Sequence, residues 1–206
     1  MAVIKSGAGT DQLTIDATSK AARVTLYDVN GVPMTKKATH RAGVAGGTFA
    51  AVAGTAPFFL AYGSASKVVV VQRVVVSGLT LTTVQYLSIG LVKYSTLHSG
   101  GTVTNLTQVP LDANSSAGSL TACAVFIGAP TPGTSIGTIG SRRVLAQATT
   151  AAAGGLLTDD VIFDFRSINE TSGVVLRGTG SGIGLLYQVA PASVVATHVE
   201  IEWTEE

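Results

Sequence analysis

Apolar positions in this chain recur with a period of two, and the 3.6-residue period of an amphipathic helix is nearly absent. The clearest case is Val194 to Trp203. Val195, Thr197, Val199, Ile201 and Trp203 fall on one face, and Ala196, His198, Glu200 and Glu202 fall on the other. Further short β-branched or aromatic runs are Phe58–Tyr62, Lys67–Ser77, Val84–Tyr94, Leu120–Ile127, Ile139–Ala146, Val161–Phe165, Gly173–Arg177 and Gly184–Val189. Clusters of Gly, Pro, Asn and Ser punctuate them. Nine strands of this kind predict an all-β fold, a jelly-roll-like β-sandwich. The valine runs at 68–71 and 74–76 are continuous rather than alternating, which predicts burial on both faces, one of them against a neighbouring subunit.

The front of the chain reads differently. Ala21 to Val29 alternates and ends at Asn30-Gly31, a type I′ turn signal, so Val32 to Thr39 is the expected return strand. Residues 42–56 are small and glycine-rich and read as a linker or an extended arm. The expected organisation is an N-terminal arm, hairpin and Gly/Ala-rich linker over 1–56, and a sandwich over 57–206. Residues 98–119 and 128–138 are turn-rich surface loops, and Ala148 to Gly155 is a short low-complexity patch.

Composition sharpens this picture. Charged residues are 12% of the 206, about half of the roughly 25% usual in soluble proteins. Low charge is the mark of surfaces buried against other protein, so association between copies is expected. The net charge of +1 gives no electrostatic reason to expect nucleic acid. It is unevenly spread: residues 1–60 carry six basic groups against three acidic, and 61–206 carry seven against nine. No segment has the length and apolarity of a membrane helix, and Met1 to Lys5 does not open a secretory signal, so synthesis in a cytoplasm and no membrane partner are expected.

Candidate chemistry is sparse. Cys123 is the only cysteine and lies in the apolar run 120–126, where it reads as a small buried hydrophobe. His40, His98 and His198 are far apart and lack ligand spacing, which argues against a metal site. The G-x-G-x-G-x-G run from Gly178 to Gly184 does not match the dinucleotide fingerprint, and no helix pattern follows it. It reads as a glycine-rich hairpin or bulge. Asp159, Asp160 and Asp164 do not form a calcium ladder, and Asp164 between two phenylalanines reads as an outward-facing strand residue. No G-x-S-x-G elbow is present, and nothing singles out a carboxylate pair. No catalytic residue, cofactor or metal is therefore expected. Arg142-Arg143 is a candidate for pairing with the acidic end Glu200, Glu202, Glu205 and Glu206 of another copy.

The stretch Ile15-Asp16-Ala17-Thr18-Ser19-Lys20-Ala21-Ala22-Arg23-Val24-Thr25-Leu26-Tyr27-Asp28 resembles the opening of virion structural proteins from tailed bacteriophages. Ser99-Gly100-Gly101-Thr102, Val109-Pro110-Leu111-Asp112, Thr131-Pro132-Gly133-Thr134, Val175-Leu176-Arg177-Gly178 and Ile201-Glu202-Trp203-Thr204-Glu205-Glu206 resemble phrases of the same group. A proline commonly follows the Ile-Asp pair there; Ala17 stands in its place here. The resemblance implies a non-enzymatic virion component, made in the bacterial cytoplasm and present in many copies. The expected role is a capsid decoration or cement subunit. It would bind the major capsid protein or other virion proteins and its own copies, with a trimer favoured. The alternative is a tail or head fibre component, an adhesin or glycan-binding module. The residues expected to carry contacts are Val3, Ile4, Leu13, Ile15, Arg23, Val24, Leu26, Arg142 and Arg143. Main-chain pairing of Val3-Ile4 or Val24–Leu26 with an exposed sheet edge is the expected mode.

Overall fold

The computed structural model describes residues 14–15, 22–23, 38–49, 56–148, 160–166 and 173–206. The chain divides between Lys37 and Ala38 into a small front unit and a body. In the front unit, β1 (Thr14–Ile15) pairs antiparallel with β2 (Ala22–Arg23), Thr14 opposite Arg23 and Ile15 opposite Ala22. The hairpin expected around Asn30-Gly31 lies outside the described residues, apart from Ala22–Arg23 and the Ala38–Thr39 end of its return strand.

The body holds β3 (Ala38–Phe49), β4 (Phe59–Tyr62), β5 (Val68–Leu81), β6 (Gln85–Tyr94), β7 (Thr102–Asn105), β8 (Val109–Pro110) and β9 (Ala122–Gly128). Then come β10 (Ser135–Ala148), β11 (Val161–Asp164), β12 (Val174–Arg177), β13 (Gly182–Tyr187) and β14 (Val195–Glu205). Among the described residues there is no helix, so the fold is all-β. Sheet I has the strand order β7-β9-β4-β13-β6-β10. Sheet II runs β5-β14-β3-β8, with β12 and β11 one after the other along the other edge of β5. β10 joins the two sheets. It pairs antiparallel with β6 along most of its length, and its last residues, Gln147 and Ala148, lie parallel to Thr80 and Leu81 of β5. The sandwich is therefore the one the alternating pattern demands, while this strand order does not by itself trace a jelly-roll path.

The core lies between the sheets. Leu87, Ile89 and Leu91 of β6 and Ile183, Leu185 and Tyr187 of β13 face Val69, Val71, Val74 and Val76 of β5 and Val199, Ile201 and Trp203 of β14. β14 alternates buried and half-buried from end to end, as its sequence requires.

Two features depart from the sequence reading. The first is the pair of valine runs in β5. Their burial alternates, with Val69, Val71, Val74 and Val76 fully buried and Val68, Val70 and Val75 only partly so. The runs look continuous because β5 carries an extra residue at Gln72. Trp203 pairs with Val71 and Glu202 with Arg73. This bulge moves the inward phase by one position. A second bulge follows at Gly78, whose φ of 63° is left-handed and which shifts the inward set to Leu79 and Leu81. One face of β5 is core, and no second subunit is needed to explain the valines.

The second departure is the expected linker. Ala42 to Phe49 belong to β3, which pairs with β14 from Ala38 opposite Glu205 to Phe49 opposite Val195. The body therefore begins at Ala38, not at residue 57. The segment has no β-branched periodicity of its own; the partner strand dictates its conformation. A Cβ at Gly43 would stand 3.1 Å from the Val199 carbonyl oxygen, so the small side chains allow the close approach.

Candidate functional site

The largest concentration of polar side chains in the interior surrounds the end of β14. Continuing its alternation past Trp203 places Glu205 inward, and the residue is 5% exposed. Its carboxylate accepts hydrogen bonds from Lys67 Nζ (2.8 Å), Trp203 Nε1 (3.0 Å) and the Ser119 backbone N–H (2.6 Å). Burial alone would raise its pKa; these bonds outweigh burial and bring it down to about 2. The His40 ring stacks on Trp203 at 5.5 Å, with Nδ1 4.0 Å from Glu205 Oε1. The hydroxyl of Ser119 is buried nearby.

Serine, histidine and glutamate together suggest an acyl-transfer triad, but the geometry denies it. A triad needs histidine Nε2 beside the nucleophile. His40 Nε2 instead lies 3.1 Å from the Ser116 carbonyl oxygen, and His40 is completely buried. The group works as a clasp, tying the loop before β9 to the ends of β3, β5 and β14. Gln108 completes it by bonding both the N–H and the carbonyl of Leu120 at 2.9 Å.

Glu205 is the residue that sequence reasoning misplaced, since it was grouped with the exposed acidic end. Parity along β14 was the available signal. The other glutamates are engaged as well. Arg41 lies 3.5 Å from Glu200 and 3.3 Å from Glu202 on the outer face of sheet II, and Glu206 exchanges backbone bonds with Val68. The acidic end offered to Arg142-Arg143 of another copy is thus largely used within the chain.

The remaining candidates fall into packing roles. Cys123 is 3% exposed, and burial pushes its thiol up to about 12. His98 packs on Tyr62 and Phe126, and His198 sits 3.9 Å from Glu200. Asp164 points outward and pairs with Arg166. The glycine run is a turn at Gly178 (φ 72°), leading from β12 of sheet II into β13 of sheet I; it is not a hairpin. Among the described residues, no three His, Cys, Asp or Glu side chains gather as a metal cage.

Of the expected contact residues, Ile15 and Arg23 lie in the β1–β2 pair. Val3, Ile4, Leu13, Val24 and Leu26 are outside the described residues. Arg142 and Arg143 are exposed on β10, opposite Ile89 and Ser88. Arg143 lies over the Tyr86 ring, 4.7 Å from its centroid. Among the described residues neither arginine has a carboxylate partner, unlike Arg41 and Arg166.

Tyr86 belongs to an apolar end of the body. Val84, Tyr86, Val189 and Val194 are each more than half exposed. Gln85 holds their two segments together by bonding the Ala190 carbonyl (3.3 Å) and the Ala192 N–H (2.8 Å). β10 lies alongside, and among the described residues its strand pairing over Ser135–Ala146 is with β6 only, which makes it the edge of sheet I there.

The outer face of sheet I carries a second apolar cluster: Leu60, Tyr62, Val92, Tyr94, Ala124, Phe126 and Leu186. At one side it opens into a cleft of about 430 Å³ lined by Val92, Tyr94, Pro132, Gly133, Ser135, Thr138, Leu186 and Gln188. The chain matches no known protein-family model, no curated protein and no solved structure.

Proposed function

We propose that this chain is a non-enzymatic structural subunit of a tailed-bacteriophage virion, a capsid decoration or cement protein. It adheres to the major capsid protein or another virion protein and to its own copies, with a trimer the favoured assembly. The observation that carries this reading is the apolar end of the body. Scattered exposed apolar residues are ordinary, but large ones gathered at one place mark a contact surface. Here Arg143, which has no carboxylate partner among the described residues, lies over Tyr86, and aromatic and arginine side chains are the usual anchors of protein interfaces. The phrases that resemble phage structural proteins and the scarcity of charge point the same way. The edge of β10 supplies main-chain donors and acceptors for strand addition. Many weak, linked contacts suffice for a lattice protein because each raises the effective concentration of the next.

The second reading is a tail or head fibre component acting as an adhesin; the cleft on sheet I favours it. A density map of the virion encoded by the same genome decides between them. Decoration predicts many copies on the head, with the Tyr86 end facing shell or sibling. Density at the tail supports the fibre, and absence of the chain from the particle overturns both.

A further inference from the structure

We infer that the cleft on the outer face of sheet I is a binding site for a neutral saccharide. The inference rests on the cleft alone and holds whether the chain sits on a head or a tail.

The floor comes from alternation on two strands. Val92 and Tyr94 of β6 and Leu186 of β13 point outward, opposite to the core residues Leu91 and Leu185. Gln188 continues the outward column past β13, and its side chain lies across Gly90, where a Cβ would stand 3.2 Å from it. The rim is formed by exposed Ser135, Thr138 and Gln188.

None of the eight lining residues carries a charge at neutral pH. An ionic ligand would lose its hydration without a counter-charge, which is costly. Gln188 Oε1 already accepts from the Ser141 hydroxyl at 2.6 Å, but a wholly apolar ligand would cover the Ser135 and Thr138 hydroxyls and the Gln188 Nε2 without satisfying them. A pyranose offers what the cleft lacks, an apolar C–H face for the floor and neutral hydroxyls for the rim. The volume of about 430 Å³ falls in the range of small-molecule sites, roughly 300–1,000 Å³.

The walls are built in advance. The Thr131–Thr134 segment is strapped to the end of β6 and the loop after it. Thr131 bridges Ser99, the Thr134 N–H donates to Thr96 Oγ1 at 2.7 Å, and Ser95 N–H donates to the Thr134 carbonyl at 2.9 Å. Only glycine fits at 133, because a Cβ there would lie 1.9 Å from the Thr96 carbonyl oxygen. On the facing wall, β10 slips register twice, between Ser135 and Gly137 and between Thr138 and Gly140. Gly137, with φ 152°, sits between the lining residues Ser135 and Thr138 in a conformation open essentially to glycine alone. Bulges and strained backbone of this kind concentrate where a strand edge is re-aimed beside a binding site.

The test is saturation-transfer NMR on the full chain with glucose, galactose, mannose, N-acetylglucosamine and their short oligomers, alongside glucuronic and N-acetylneuraminic acid. Saturation transfer to at least one neutral sugar is expected, with affinity in the millimolar range or tighter. Thr138→Trp, which fills the cleft from an exposed position, should abolish the signal. Gln188→Ala should weaken binding about tenfold, and its exposed side chain keeps the test decisive if Thr138→Trp folds poorly. Neither change should alter retention on particles, so failure here is distinguishable from failure of the virion reading. The inference is overturned by no transfer to any neutral sugar, by a preference for the charged ones, or by binding that survives both substitutions.

Discussion

Glu205 shows how much one side chain decides in this protein. Its carboxylate satisfies two backbone or ring donors and one ammonium at a place where water is excluded. Glu205→Ala leaves the Trp203 and Ser119 N–H groups buried and unpaired, and it should cost about 3 kcal/mol in denaturant melts. A carboxyl held below its ordinary value of 4.5 contributes stability above that pH and loses the contribution as pH falls towards about 2. Acid titration followed by circular dichroism should therefore show stability falling across that window, and Glu205→Gln should flatten the slope. Asp164, held at about 2 chiefly by its hydrogen bond to Arg166, titrates in the same range. That pair is exposed, so about 0.5 M salt should screen its share and leave the share of Glu205. Gly184 makes the converse point, that a missing side chain can be structural. A Cβ there would lie 2.5 Å from Leu60 Cδ2 and 3.0 Å from the Phe59 carbonyl oxygen. Gly184→Ala should destabilise by about 1–3 kcal/mol in thermal melts, while Ala at Gly100, where nothing lies within 4 Å, meets only backbone strain.

At the scale of the element, β14 is the strand on which sheet II depends. It is flanked by β3 and β5 and bears the alternating core set from Val195 to Trp203. That pattern was legible because a half-buried strand imposes its period directly on the sequence. β3 was not legible, since its small residues are chosen for approach to β14 and carry no period of their own. Truncation tests the difference. Removal of 1–37 should leave the melting temperature of the body unchanged. Removal of 1–49 strips one edge of β14, takes away His40 and uncovers Trp203, so the cooperative transition should be lost or sharply lowered. Equal melting temperatures for the two truncations would show that β3 contributes nothing to the sheet.

At the scale of the whole molecule, the chain combines few charges with an apolar end and, among the described residues, a strand edge on β10 without a partner. Such a surface favours association over free diffusion. Sedimentation velocity across a range of concentrations should show a concentration-dependent oligomer. Val84→Asp combined with Tyr86→Ser should weaken that oligomer at least tenfold, because aromatic anchors dominate interface energies. A wild-type chain that remains a monomer throughout would remove the self-association part of the proposed function.

The sequence by itself determined the class of the fold, nine of its strands to within a few residues, and the inward faces of β14. It also identified Cys123 as a buried hydrophobe. These follow from local alternation and composition, which any half-buried strand must display. Tertiary structure alone decided the pairing of β3, the bulges that turn the valine runs of β5 into alternation, the burial of Glu205, and the meeting of β6, β10 and β13 around one cleft. Each of these depends on which strand lies beside which, and that choice is made by long-range contacts that no short window of sequence contains.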